Sequence, residues 1–288
     1  MSQERPRVRF ASQTYSWQMS GRWSGRLGEI SNVVGQSGFE GLEPEVCMMD
    51  GFGTSESLTD LVEKNNLQLA AIALVLDWRG EEETEDERRE ADRVIDLMRV
   101  SVDGRLVLVQ RPAGPGADRA GAQDRLVACM SAVAHRAADK GVVATFHPNS
   151  PAASIVRTEA DYDRVLPKLP AALGWTPDTG HLAAGGMAPL DMIHRYRDLV
   201  NHIHLKDVDA AGQWAPNGQG VVDMVGVVKS LTQSRYSGWI TVEDESPSAS
   251  SDPNSAAFRN GKWVAENLRP LVEKERHQRD EVAAQTDA

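Results

Sequence analysis

The sequence has only two cysteines, Cys47 and Cys129, far apart and in no CxxC spacing. That excludes a disulfide framework and a thiolate zinc site. Positive charge is also short: 31 Lys and Arg stand against 42 Asp and Glu, a formal net charge of −11. A nucleic-acid partner needs a clustered basic face and is not expected. No run approaches the roughly 18 apolar residues of a membrane span, and the first residues hold no apolar signal core. No membrane partner is expected, and a cytoplasmic location is. The Ser16–Ser24 stretch after the first apolar run contains no GxGxxG, which speaks against a dinucleotide-binding, doubly wound sheet.

What is there is a regular alternation. Short apolar runs suited to buried strands lie at Arg7–Ser16, Gly38–Glu45, Leu67–Leu76, Arg105–Val109, Val142–His147, Ala171–Trp175, Leu199–Ile203 and Trp239–Glu243. Helical spacing fills the intervals at Leu27–Gln36, Leu58–Asn65, Glu81–Val100, a long segment ending near Lys140, Thr158–Leu166, Ala188–Arg197, Val221–Ser234 and Asn254–Glu273. Eight strands alternating with helices and no linker predict one α/β domain over residues 1–273, a single (β/α)8 barrel. Residues 274–288 are polar and predict a disordered tail.

Active sites of such barrels sit at the carboxyl ends of the strands. The last four strands each end in ligand chemistry: His147 with Asn149, Asp178 with His181, His204 with Lys206, and Glu243. Carboxylate oxygen and imidazole nitrogen with no nearby thiolate suit a divalent cation. Earlier strand ends offer Trp17, Glu43 and Arg111. Lys206 follows His204 by two residues, so on an extended strand they share a face. Beside a cation its amine is expected to have a depressed pKa. His202 is expected to point into the barrel wall.

Four segments carry a resemblance: Asp178-Thr179-Gly180-His181, His204-Leu205-Lys206-Asp207, Asn217 through Asp223, and Tyr236 through Glu243. They resemble the xylose-isomerase-like superfamily of sugar isomerases and epimerases, and within it the inosose dehydratase branch. The resemblance implies a xylose-isomerase-like TIM barrel with one divalent cation, manganese first and cobalt, magnesium or zinc as alternatives. It implies His147, Asp178, His204 and Glu243 as metal ligands. The ligand on the fifth strand is commonly a glutamate in that superfamily, and His147 departs from it.

By the same resemblance the chemistry is proton abstraction alpha to a carbonyl of a sugar or cyclitol, with the cation stabilising the enolate. Glu243 or Lys206 would serve as base and His181 as acid. Glu43, Trp17, His181, Arg111 and Asn149 would meet substrate. Loss of one of the two opposed glutamate bases leans the expectation from two-base epimerisation toward elimination or one-base isomerisation. The alternatives are a ketose isomerase or epimerase, beta-elimination of 3-keto glycosides, and, more remotely, an endonuclease IV-like phosphodiesterase. A homo-oligomer, dimer or tetramer, is compatible with the sequence.

Overall fold

The computed structural model describes residues 8–112, 114, 116 and 118–275. The expected tail lies outside these residues, except for Lys274 and Glu275, which end a helical stretch running from residue 269.

Eight parallel strands close on themselves. β1 (Val8–Gln13) pairs with β2 (Gly41–Glu43) on one side and with β8 (Gly238–Val242) on the other. β3 begins as Gln68–Leu69 against β2 and continues as Ala71–Leu76 against β4 (Arg105–Gln110). β5 (Val143–Phe146) and β6 (Leu173–Trp175) follow, and β7 (Ile203–Leu205) pairs with β8. Parallel bridges Glu45–Ala73, Trp175–Val200 and Asp178–His204 join the two halves into a ring. Strands covered on both faces read as continuous apolar runs, as Ala71–Leu76 does.

The helices between strands are α1 (Tyr15–Met19), α2 (Leu27–Gln36), α3 (Ser55–Lys64), α4 (Glu85–Met98), α5 (Arg119–Asp139), α6 (Glu159–Val165), α7 (Thr179–Ala184), α8 (Pro189–Arg195) and α9 (Met224–Gln233). Two more, α10 (Pro247–Ser251) and α11 (Pro253–Asn267), follow β8. Their apolar stripes pack on the strands to form one large core, including Ile30, Leu58, Val94, Ile95, Val133 and Val228. The barrel floor is plugged by Trp239, with the Arg9 guanidinium 4.1 Å from its ring centre. Gly41 makes room for that indole, because a Cβ there would lie 2.6 Å from the ring.

Three local expectations shift. Thr14–Trp17 is not the polar end of a strand: β1 stops at Gln13 and α1 starts at Tyr15. The run beginning at Leu199 opens with a 3-10 turn, Arg197–Leu199, so β7 starts at Ile203. After β7 a small antiparallel hairpin, Asp207–Val208 with Trp214–Ala215, interrupts the strand-helix rhythm. Two-residue strands leave no periodic signal from which to predict them.

Candidate metal centre

The chain crosses the mouth of the barrel at the ends of β5 to β8, and four buried side chains meet there. One ligand-type atom from each of His147, Asp178, His204 and Glu243 lies within 4.8 Å of every other. Backbone geometry places them. Asp178 follows β6 and is the N-cap of α7, its Oδ1 accepting the His181 N–H at 2.7 Å. The Asp-x-x-His spacing is therefore a cap and its third helical residue. The other carboxylate oxygen, Oδ2, is left facing the centre. Across the ring its Oδ2 lies 3.5 Å from Nε2 of His147 and 3.9 Å from Nδ1 of His204.

Both ring nitrogens of His147 and Oδ2 of Asp178 are buried without a hydrogen bond. Buried polar atoms are seldom left so, because desolvation is then uncompensated. Two imidazoles and two carboxylates at this spacing are donors for a divalent cation. The residues present fit such an ion.

Lys206 lies fully buried at the edge of this group. Its Nζ is 2.9 Å from Glu243 Oε1, 3.3 Å from Asp178 Oδ2 and 3.2 Å from His181 Nε2, and it also contacts Glu245. Burial would lower its pKa, but Asp178, Glu243 and Glu245 outweigh burial and raise it well above the ordinary value. Burial pushes the Glu243 carboxyl up, yet Lys206 and His204 hold it below its usual range. Burial and the Lys206 charge press His181 down to about 3, leaving it a neutral imidazole. Its Nδ1 meets the Ser150 N–H at 3.2 Å and Oγ at 2.8 Å.

Beneath the centre, Glu43 accepts from His204 Nε2 at 2.7 Å, His202 Nε2 at 2.8 Å and Thr241 Oγ1 at 2.8 Å. It is completely buried, with both oxygens engaged, so it is not free to hold a substrate hydroxyl as expected. His202, expected to point into the barrel wall, instead turns its Nε2 to Glu43 beneath the centre. Burial pushes it down to about 4. His204, bonded to Glu43 and at 3.1 Å to Glu243 Oε2, is pushed up to about 10 against the effect of burial.

The remaining expected substrate contacts are placed elsewhere. Trp17 is a buried residue of α1, with its indole N–H donating to Asn254 at 2.8 Å. Arg111 is half exposed and paired with Asp77 at 3.1 Å. Asn149 donates to the Gln110 carbonyl at 3.0 Å and accepts from Ser154, bracing the loop after β5.

The structure adds residues that sequence reasoning passed over. Trp214, on the hairpin, sets its ring 5.0 Å from Lys206 Nζ and edge-on to His181 at 5.3 Å. Burial, with Glu245 and Glu45, pushes the Tyr15 hydroxyl up to about 12, and burial likewise pushes Glu45 and Glu245 up to about 7. The two glutamates stood at strand ends in the sequence, a usable signal. Trp214 had none. Asp207 accepts backbone N–H groups from Val208, Gly218, Gly220 and Val222 and so folds the following loop back over the mouth. At Gly220 a Cβ would lie 2.2 Å from the Asp207 carboxylate, and Gly218 has a left-handed φ of +80°.

A family model described as the xylose isomerase-like TIM barrel matches residues 33–271. The chain belongs to that family. Among curated members it is 28% identical over 160 residues to the inosose dehydratase of Lacticaseibacillus casei, covering 49% of this chain and 53% of that one. The chain thus spans about half the length of the curated relatives it matches. Among solved structures it resembles the probable 3-DHS dehydratase AsbF of Bacillus anthracis (TM-score 0.71, 14% identity, 89% of this chain and 98% of that one). It also resembles the IOLI protein with a bound zinc atom (TM-score 0.72, 13% identity, 93% and 99%). These two likenesses bear on the fold alone. Among the described residues of this xylose isomerase-like barrel, no helix is long and apolar enough to cross a membrane.

Proposed function

We propose that this chain is a divalent-cation-dependent lyase that dehydrates a keto cyclitol or keto sugar of the inosose class. The observation that carries the reading is the convergence of His147, Asp178, His204 and Glu243, with both His147 nitrogens and Asp178 Oδ2 left without hydrogen bonds. The inosose dehydratase relatives support the substrate class. His147, Asp178, His204 and Glu243 would hold the ion, with manganese favoured and cobalt, magnesium or zinc as alternatives. When bound, a divalent cation supplies Lewis acidity to a substrate carbonyl.

The side chains do the rest. Glu243, a carboxylate beside Lys206, takes the proton alpha to the carbonyl. The C–H electron pair becomes the new C=C bond as a beta hydroxyl leaves. Lys206 and His181, 3.2 Å apart, stand where that hydroxyl would be protonated and released as water. Lys206 thus acts as an ammonium donor, and the base is Glu243. Trp214 and the loop tied down by Asp207 limit water access. With His147 in place of a glutamate, no second metal-site carboxylate opposes Glu243 from β5, which favours elimination over two-base epimerisation.

The test incubates the protein with Mn2+ and a panel of inososes, ketoses and 3-keto glycosides, following enone absorbance and deuterium uptake from solvent. Enone formation from an inosose that is abolished by EDTA is the expected result. Deuterium uptake with no enone would reassign the chain as an isomerase or epimerase, and enone from a 3-keto glycoside alone as a deglycosidase.

A further inference from the structure

The buried polar chain below the metal centre has a role that the dehydration scheme leaves unused. Glu43 is fully buried at the end of β2, on the far side of His204 from the other candidate ligands. Its Oε1 takes one imidazole nitrogen of His204 at 2.7 Å, leaving Nδ1 to face Glu243 at 3.1 Å and Asp178 at 3.9 Å. Its Oε2 is held by His202 at 2.8 Å and by Thr241 at 2.8 Å, so the carboxylate cannot swing away. An imidazole with a carboxylate on one nitrogen has its tautomer and ring orientation set, and its other nitrogen becomes a better donor. The four mouth residues carry only two carboxylates between them. Glu43 brings a third negative charge to the far side of the same ring.

We infer that Glu43 is a positioning residue of the cation site. By accepting the Nε2–H of His204 it turns Nδ1 toward Asp178 and Glu243, and it supplies from beneath the negative charge that His147 does not carry. This rests on the cation reading above, but not on the identity of the substrate.

The test uses the full chain stripped of metal, with Mn2+ affinity read by calorimetry in the absence of substrate. Glu43→Gln keeps the size but loses the charge, and should weaken Mn2+ binding by about 10- to 100-fold. The metal-free variant should melt within a few degrees of wild type. His202→Gln, which leaves the His204 contact in place, should change affinity by less than about threefold. In wild type loaded with Zn2+, nitrogen-15 spectra of the histidine rings should show His204 protonated at Nε2 and bound through Nδ1. That measurement decides the matter even if Glu43→Gln does not fold. Normal wild-type binding with an unchanged Glu43→Gln variant, or zinc on Nε2, overturns this inference alone. A wild-type chain that takes up no Mn2+ overturns the cation reading as well.

Discussion

Nε2 of His147 stands 3.5 Å from Oδ2 of Asp178, and neither atom has a hydrogen bond. Because the other oxygen of Asp178 caps α7, the two functions of this side chain can be separated. Asp178→Asn keeps a competent cap, since Asn caps helices as well as Asp. The metal-free variant keeps the cap but gives up the buried ion pair with Lys206, so its stability loss should exceed the roughly 1 kcal/mol of a cap substitution. Metal content after dialysis against Mn2+, read by mass spectrometry, should fall to background. Wild-type occupancy in this variant would remove Asp178 from the ligand set.

His147 tests the charge of the site. His147→Ala removes one of four donors and should weaken Mn2+ binding by at least about tenfold. His147→Glu adds a carboxylate and should shift preference toward magnesium, a harder cation that favours oxygen ligands. Competition titrations of Mn2+ against Mg2+ read both. Unchanged Mn2+ affinity in His147→Ala would make His147 a substrate contact.

Two tryptophans should part company. Trp17→Ala opens a cavity in the core and should cost about 3–5 kcal/mol, read by denaturant unfolding. Trp214→Ala removes a ring that covers Lys206 and should leave the melting temperature nearly unchanged. Its kcat/KM should fall about tenfold, the scale of one desolvated cation–aromatic contact. Equal stability losses would mean that Trp214 is structural.

Acid stability should depend on Asp161. It pairs with Arg119 at 2.7 Å, caps α6 through the Thr158 and Arg157 N–H groups, and accepts from Gln123. Burial alone would raise its pKa, but Arg119 and these donors hold it well below the usual carboxylate range. The unfolded chain then binds a proton before the folded one does, so stability increases with pH through this window. The contribution is complete above the ordinary aspartate value near 4 and is lost as pH falls below it. Asp161→Asn should destabilise the protein by about 2 kcal/mol at pH 7 and show a shallower loss below pH 4. Parallel acid dependence in both proteins would assign the effect to other groups.

The sequence by itself determined the barrel and the four residues at its mouth. Continuous apolar runs require strands buried on both faces, and a strand-helix alternation with short connections leaves few ways to arrange them. Parallel strands carry their last residues to one end, so His147, Asp178, His204 and Glu243 could be grouped without coordinates. The sequence could not say which polar atoms were already taken. Trp17, Arg111 and Asn149 looked available until Asn254, Asp77, Gln110 and Ser154 met them across 5 to 237 positions of chain. Glu43 was legible as a mouth carboxylate, but its two histidine partners lie 159 and 161 residues away. The charge state of Lys206 depended on three carboxylates that follow β6 and β8 and surround its buried amine. Local patterning fixes strands, helices and caps because those are interactions between near neighbours. Hydrogen-bond satisfaction and electrostatics at the mouth are sums over groups distant in sequence, and only the closed barrel brings those groups within reach.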